Sequence, residues 1–243
     1  MNSARLSLSG AGRTEEDWWR KAIGELVGAF VLVVGGAGSV LAASAVGQPV
    51  ILFAAFGHAF AVAVMATALG PISGGQISPA VSLGLVITRH QRADTGAAII
   101  AFQLIGSVLG GFVLRWLYPG QVSTSLHLAT PAVTALTPEG GMLLELLMTF
   151  LVVFVVFATA IDPRGAAKTL GAIPIGLTVG VDWLFGGYFT GAAMSPGRWL
   201  GPAVASGFYD NWWVYWIGPL LGGVLGAVVY EYVFRPRAVV EHA

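Results

Sequence analysis

The chain has 243 residues, 56% of them apolar and 10% charged, with 12 Lys and Arg balancing 12 Asp and Glu, 34 glycines and no cysteine. A soluble domain averages roughly 25% charged residues, so this chain lacks the polar surface that water requires and reads as an all-α membrane protein. Zero net charge argues against a nucleic-acid partner, and the missing cysteines exclude disulfides, thiolate metal sites and thiol catalysis. His58, His90, His127 and His242 are too scattered for a metal cluster, so neither a metal nor a cofactor is expected.

Residues 1–20 carry Arg5, Arg13, Glu15, Glu16, Asp17 and Arg20 without an apolar run, and read as a polar tail rather than a signal peptide. Six apolar windows follow at 22–46, 49–70, 95–116, 141–161, 169–186 and 212–234, each close to the ~20 residues that cross a hydrocarbon core. Six spans put both ends on one side. Short loops rich in Lys and Arg stay cytoplasmic; with both termini inside, Arg5, Arg13, Arg20, Lys21, Arg89, Arg92, Arg164, Lys168, Arg235 and Arg237 all fall there. Only Arg115 and Arg198 are left for the outer half, and the loop at 118–139 has no basic residue.

Two further apolar stretches, Pro79 to Thr88 and Pro196 to Ser206, are too short to cross. Each follows a serine that can cap a helix by accepting its free N–H groups, and each starts on a proline, which has no N–H to leave unpaired. They read as re-entrant half-helices. Residues 73–84 align without gaps on residues 190–201 with five identities, and Glu25 has a counterpart in Glu145, at an offset of 120 against 117 for Ser78 and Ser195. The chain is therefore a duplicated unit: a first repeat at 21–117 and a second at 140–234, joined by the outer loop 118–139 and followed by a tail at 235–243. An odd number of spans per unit inverts the second copy, so the half-helix N-termini meet near the midplane. Non-helical backbone at that depth is tolerated where it lines a cavity, which points to a pore or a transporter.

Over about residues 20–235 the sequence resembles the aquaporin and glycerol-facilitator family of major intrinsic proteins. The resemblance rests on Glu25-Leu-Val-Gly, on the stretch from Gly70 to Gly84 and on Gly191 to Pro202; Gly201 to Gly207 and Trp213 to Pro219 are similar to the plant vacuolar-membrane branch. The family's two Asn-Pro-Ala motifs are here Ser78-Pro79-Ala80 and Ser195-Pro196-Gly197. A serine hydroxyl is shorter than an asparagine amide and can donate or accept, so a wider midplane and a weaker barrier to protons are expected.

The resemblance implies a four-residue filter near the outer mouth, carried over by spacing from the two serines: His58, Trp183, Ala192 and Arg198. It implies a row of pore-facing carbonyls from Gly74, Gly75, Gln76 and Ile77 and from Gly191, Ala192, Ala193 and Met194, with Glu25 and Glu145 as supports for these non-helical legs. It also implies a homotetramer with one pore per subunit. Trp199, Ala203 and the Tyr215-Trp216 pair stand where the family separates water from glycerol channels, and lean to water.

Each residue also has a plainer reading. Arg198 could be a snorkelling or salt-bridged cation, His58 a buried core histidine, and Trp183 a lipid-interface aromatic. Asp182 either pairs with Arg198 or meets outer water; His127 reads as a solvated loop residue. The functional expectation is a passive, cation-excluding water channel in a lipid bilayer, not an enzyme, with ammonia, hydrogen peroxide, urea or glycerol as alternative neutral permeants. An ion-coupled transporter would need a titratable midplane centre, which Ser78 and Ser195 do not supply, and a serine hydrolase would rest on Ser195 alone. With no cysteine in the chain, mercurials at low dose are expected to leave water flux in proteoliposomes unchanged; block would contradict this reading.

Overall fold

The structure, a computed structural model, describes residues 18–118, 120, 124–165 and 167–236. Arg5, Arg13 and Arg237, the side chain of Lys168, and nearly all of the two expected tails lie outside the described residues. Six long helices and two short ones account for most of the rest: α1 Trp18–Ala45, α2 Val50–Ser73, α3 Pro79–Ile87, α4 Ala93–Leu117, α5 Pro138–Ile161, α6 Ile173–Thr190, α7 Pro196–Ser206 and α8 Val214–Phe234. Five of the long helices are apolar and long enough to cross a membrane. The exception is α6, with 18 residues that include Asp182.

The expected half-helices 79–88 and 196–206 are α3 and α7. The largest shift from the expected boundaries is in the fifth span, which runs over Ile173–Thr190 rather than 169–186. Gly171 takes a left-handed φ of 59° between a one-turn helix, Ala167–Leu170, and α6, whose first turn contains Pro174. Glycine tolerates that backbone and proline pre-sets the new first turn, so the chain breaks and restarts there.

Packing repeats with the sequence. Helix α1 packs on α4 as α5 packs on α8, α3 packs on α8 as α7 packs on α4, and α2 meets α6 across the centre. Gly106 of α4 faces the Leu26 backbone of α1, and Gly222 of α8 faces the Leu146 backbone of α5. In both places a Cβ would overlap the partner carbonyl, so the close approach requires glycine. The outer faces present Phe56, Phe60, Val64, Leu147, Leu177 and Leu184. Such a surface suits lipid, since water would penalise it.

Charged residues gather at one end. Arg20, Lys21, His90 and Arg92 border one wide cavity. His90 Nε2 is 2.9 Å from Glu231, Arg235 donates to Glu231 at 2.6 Å, and Arg164 donates to Asp162 and to the Phe234 carbonyl. The Arg164 guanidinium beside Asp162 holds that carboxyl well below the usual carboxylate range.

Candidate functional site

The two non-helical legs that lead into α3 and α7 are each built around one carboxylate. Glu25 of α1 accepts from the Ser73 hydroxyl at 2.6 Å, from the Gln76 N–H at 2.8 Å, from the Ile77 N–H and from Gln103 Nε2 at 2.8 Å. Glu145 of α5 accepts from the Thr190 hydroxyl at 2.7 Å, from the Ala193 N–H at 2.9 Å and from the Met194 N–H at 2.8 Å. Both carboxylates are fully buried, where an unpaired backbone N–H is costly. Each acid thus satisfies donors that an irregular leg cannot satisfy within itself.

The legs share a backbone pattern. Gly74, Gly75 and Ile77 have φ of 94°, 60° and 63°, and Gly191, Ala192 and Met194 have 75°, 39° and 51°. Left-handed residues are unfavourable outside glycine; the carboxylate bonds hold Ile77 and Met194 there, and the Ala192 N–H donates to the Thr190 hydroxyl at 3.2 Å. At the end of each leg the serine caps its half-helix: Ser78 Oγ accepts from the Ala80 N–H at 3.3 Å and Ser195 Oγ from the Arg198 N–H at 3.4 Å. Pro79 and Pro196 occupy the first helical turns, followed by Ala80 and Gly197. Both serines border the same cavity of about 470 Å³, so the two positive helix ends face one space.

That cavity is walled by apolar side chains such as Val62, Val152, Ile175 and Val179, with one polar strip from the legs. It takes in Gly74 to Ser78 from the first leg but only Ala193 to Ser195 from the second, and it ends at His58. Next to His58 stands Arg198. Its Nε–H donates to His58 Nε2 at 2.7 Å and Nη1 donates to the Ala129 carbonyl at 3.1 Å. His58 Nδ1 lies 2.8 Å from the Ala54 carbonyl, which can only accept. The imidazole is therefore neutral, with its proton on Nδ1 and a lone pair aimed at Arg198. Trp183 packs against the same ring in a tilted arrangement, at 4.5 Å between centroids and 31° between planes.

Three of the four expected filter residues, His58, Trp183 and Arg198, thus meet. Ala192 is fully buried in the second leg, in the same apolar cluster as Trp183. Arg198 neither snorkels nor forms an ion pair among the described residues: it is 1% exposed. Two glycines make room for the cluster. A Cβ on Gly36 of α1 would fall on the His58 ring, and one on Gly187 would fall on the benzo edge of Trp183. These glycines carry no sequence signal that separates them from helix-packing glycines.

Other residues depart from expectation. Asp182 does not pair with Arg198 and is not at the surface: it is fully buried, and both carboxylate oxygens lack a partner among the described residues. The cause is helical phase, because Asp182 follows Ile175 and Val179 along the inward stripe of α6, against α5. A buried carboxylate without donors is destabilising. Asp182→Leu, of similar shape, is expected to raise the thermal unfolding midpoint in detergent by at least about 2 °C; a fall would show that the carboxylate has a stabilising partner. His127 is exposed and stacks on Phe208 at 4.0 Å, in line with the solvated reading. Trp199 stacks on Tyr215, whose hydroxyl donates to the Thr190 carbonyl at 2.9 Å. With Ala203 they form a small core behind the second leg, so they shape the leg and do not line the cavity.

Four contributors lie outside the sequence-based expectations. The Ala129 carbonyl reaches Arg198 from a turn in which His127, Leu128 and Ala129 all have positive φ, and no residue type announces such a turn. Gln103 gives Glu25 a fourth donor that Glu145 lacks. Ser73 and Thr190 are the exception, because they are aligned hydroxyls of the repeat and their shared role could have been read.

An inverted pair of three-helix units, with two capped half-helices pointing into one narrow cavity, is the architecture of a membrane channel. The chain matches the family model for major intrinsic proteins over residues 13–230. It is 40% identical to aquaporin TIP4-2 of Zea mays over 222 residues, covering 88% of this chain and 85% of that one. It is 35% identical to the probable aquaporin TIP3-2 of Arabidopsis thaliana over 250 residues, covering 96% and 92%. The fold is similar to the aquaglyceroporin of Plasmodium falciparum, with a TM-score of 0.77 at 24% identity, covering 89% of this chain and 96% of that one. The chain belongs to the major intrinsic protein family and is an integral membrane protein.

Proposed function

We infer that this protein is a passive channel for water. The observation that carries the reading is the single cavity into which Ser78 and Ser195 both cap, apolar on most of its wall and polar along the legs. An apolar wall does not hold water back, and a strip of carbonyls replaces the hydrogen bonds that a molecule loses on leaving bulk water. The two half-helix dipoles and the charge of Arg198 repel cations from the same space. His58, Trp183, Ala192 and Arg198 are the selecting residues in this reading, and the backbone carbonyls of 74–77 and 191–194 guide the permeant.

The working unit is a homotetramer with one pore per subunit, as in the family resemblance. Both termini lie in the cytoplasm of a cell-membrane protein, because Arg20, Lys21, Arg92, Arg164 and Arg235 gather at one end. Stopped-flow shrinkage of proteoliposomes tests the permeant. Water flux well above that of empty vesicles supports the reading. No gain in water flux, with ammonia or urea flux present, would replace water by a small neutral solute.

A further inference from the structure

At the end of the path away from Arg198, the first leg carries a side-chain contact that its carbonyls do not require. The Gln76 backbone N–H is bound to Glu25, but its side chain reaches outward: Nε2 donates to the Ser73 carbonyl at 3.2 Å and to Gln91 Oε1 at 2.6 Å. Two acceptors fix this amide, because turning it over would set oxygen against oxygen. Gln91 is fixed in turn. Its oxygen receives the bond, so its Nε2 points away and rests beside Gly96, where a Cβ would lie 3.1 Å from it. The loop that presents Gln91 is equally determined, with the His90 and Gln91 N–H groups both donating to the Leu85 carbonyl and Arg89 at a φ of 63°.

One acceptor and one donor are left over. Gln76 Oε1 and Gln91 Nε2 are buried and have no partner among the described residues, and Gln76 is only 6% exposed. Buried amide groups are normally paired. Gln76 borders both the cavity of about 470 Å³ that leads to His58 and the wider one of about 1710 Å³, and Gln91 borders the wider one. Gln76 therefore lies where the linings of the two spaces meet, with Gln91 on the wider side.

We propose that Gln76 and Gln91 form a binding station for a neutral permeant with both a donor and an acceptor, and so a second selecting step opposite the Arg198 end. The station rests on the channel reading above. It is uncharged and does not titrate, so it is blind to pH. Water and a small amide such as urea both fit this chemistry, and the permeability ratio separates them.

The test uses the full chain in proteoliposomes, with osmotic water flux and urea flux measured for wild type, Gln91→Leu and Gln76→Glu. Gln91→Leu removes the free donor and the acceptor for Gln76 while leaving every bond to Glu25 in place. It is expected to lower the flux of the bound permeant by about three- to tenfold, the worth of one hydrogen bond, and to shift the urea-to-water ratio. Gln76→Glu sets a titrating group between the two cavities and is expected to add a pH-dependent component to water flux relative to wild type. Unchanged fluxes in Gln91→Leu, or a Gln76→Glu protein that still conducts with no pH dependence beyond that of wild type, would overturn the station. Wild-type vesicles passing neither water nor urea would overturn the channel reading itself, and the station with it.

Discussion

Arg198→Leu is expected to raise proton and small-cation leak by about a hundredfold or more while water flux also rises. Arg198 is 1% exposed and forms no contact ion pair among the described residues, so its charge lies close to the path and is poorly screened by water. A unit charge acting on a cation at 4 Å is worth ~4 kcal/mol at an effective dielectric of 20, and each 1.4 kcal/mol is tenfold, so even half of that field accounts for much of the expected change. The guanidinium also bridges His58 and the Ala129 carbonyl. His58→Ala separates the two effects, because it removes the acceptor and the ring but leaves the charge. That variant should pass more water with little added cation leak. Proton leak is read with an entrapped pH dye under a clamped potential; leak in Arg198→Leu equal to wild type would mean that exclusion lies wholly in the half-helix dipoles.

The second large effect concerns folding. Glu145→Leu leaves the Thr190 hydroxyl and the Ala193 and Met194 N–H groups without their acceptor. Each buried unpaired donor costs about 1–3 kcal/mol, and the three together are comparable with the whole stability of a typical domain. A fall in the thermal midpoint of at least about 10 °C is expected, with loss of water flux in whatever protein survives. Glu25→Leu strands four donors, including Gln103, and should be at least as severe. Glu145→Gln keeps one carbonyl oxygen but turns an amide NH2 toward a backbone N–H, and should fall between. A midpoint for Glu145→Leu within about 2 °C of wild type would mean that the leg finds other partners.

Much of this was readable beforehand because it is written in local patterns. Apolar length marks spans, and Ser-Pro marks a capped helix start, so α3 and α7 were found to within a residue. The 117-residue offset between Ser78 and Ser195 marks the duplication. The fifth span was misplaced because Gly171 and Pro174 are short-range signals that a hydropathy window averages away. Asp182 was misread for a different reason: its type suggests water, but its place on the inward stripe of α6 is a matter of helical phase and packing.

Composition, charge placement and the repeat by themselves determine a duplicated membrane protein with two half-helices, a pore or a transporter; the family resemblance adds the cation near one mouth and a carboxylate behind each half-helix. Only the tertiary structure decided what those groups touch. Arg198 meets His58 across 140 residues, Glu145 reaches Met194 across 49, and the Ala129 carbonyl arrives from a loop with no distinguishing composition. Backbone acceptors, amide orientations and the glycine hollows that seat two aromatic rings depend on distances between segments. A sequence pattern fixes the phase and length of each helix, but such distances are set when the helices pack.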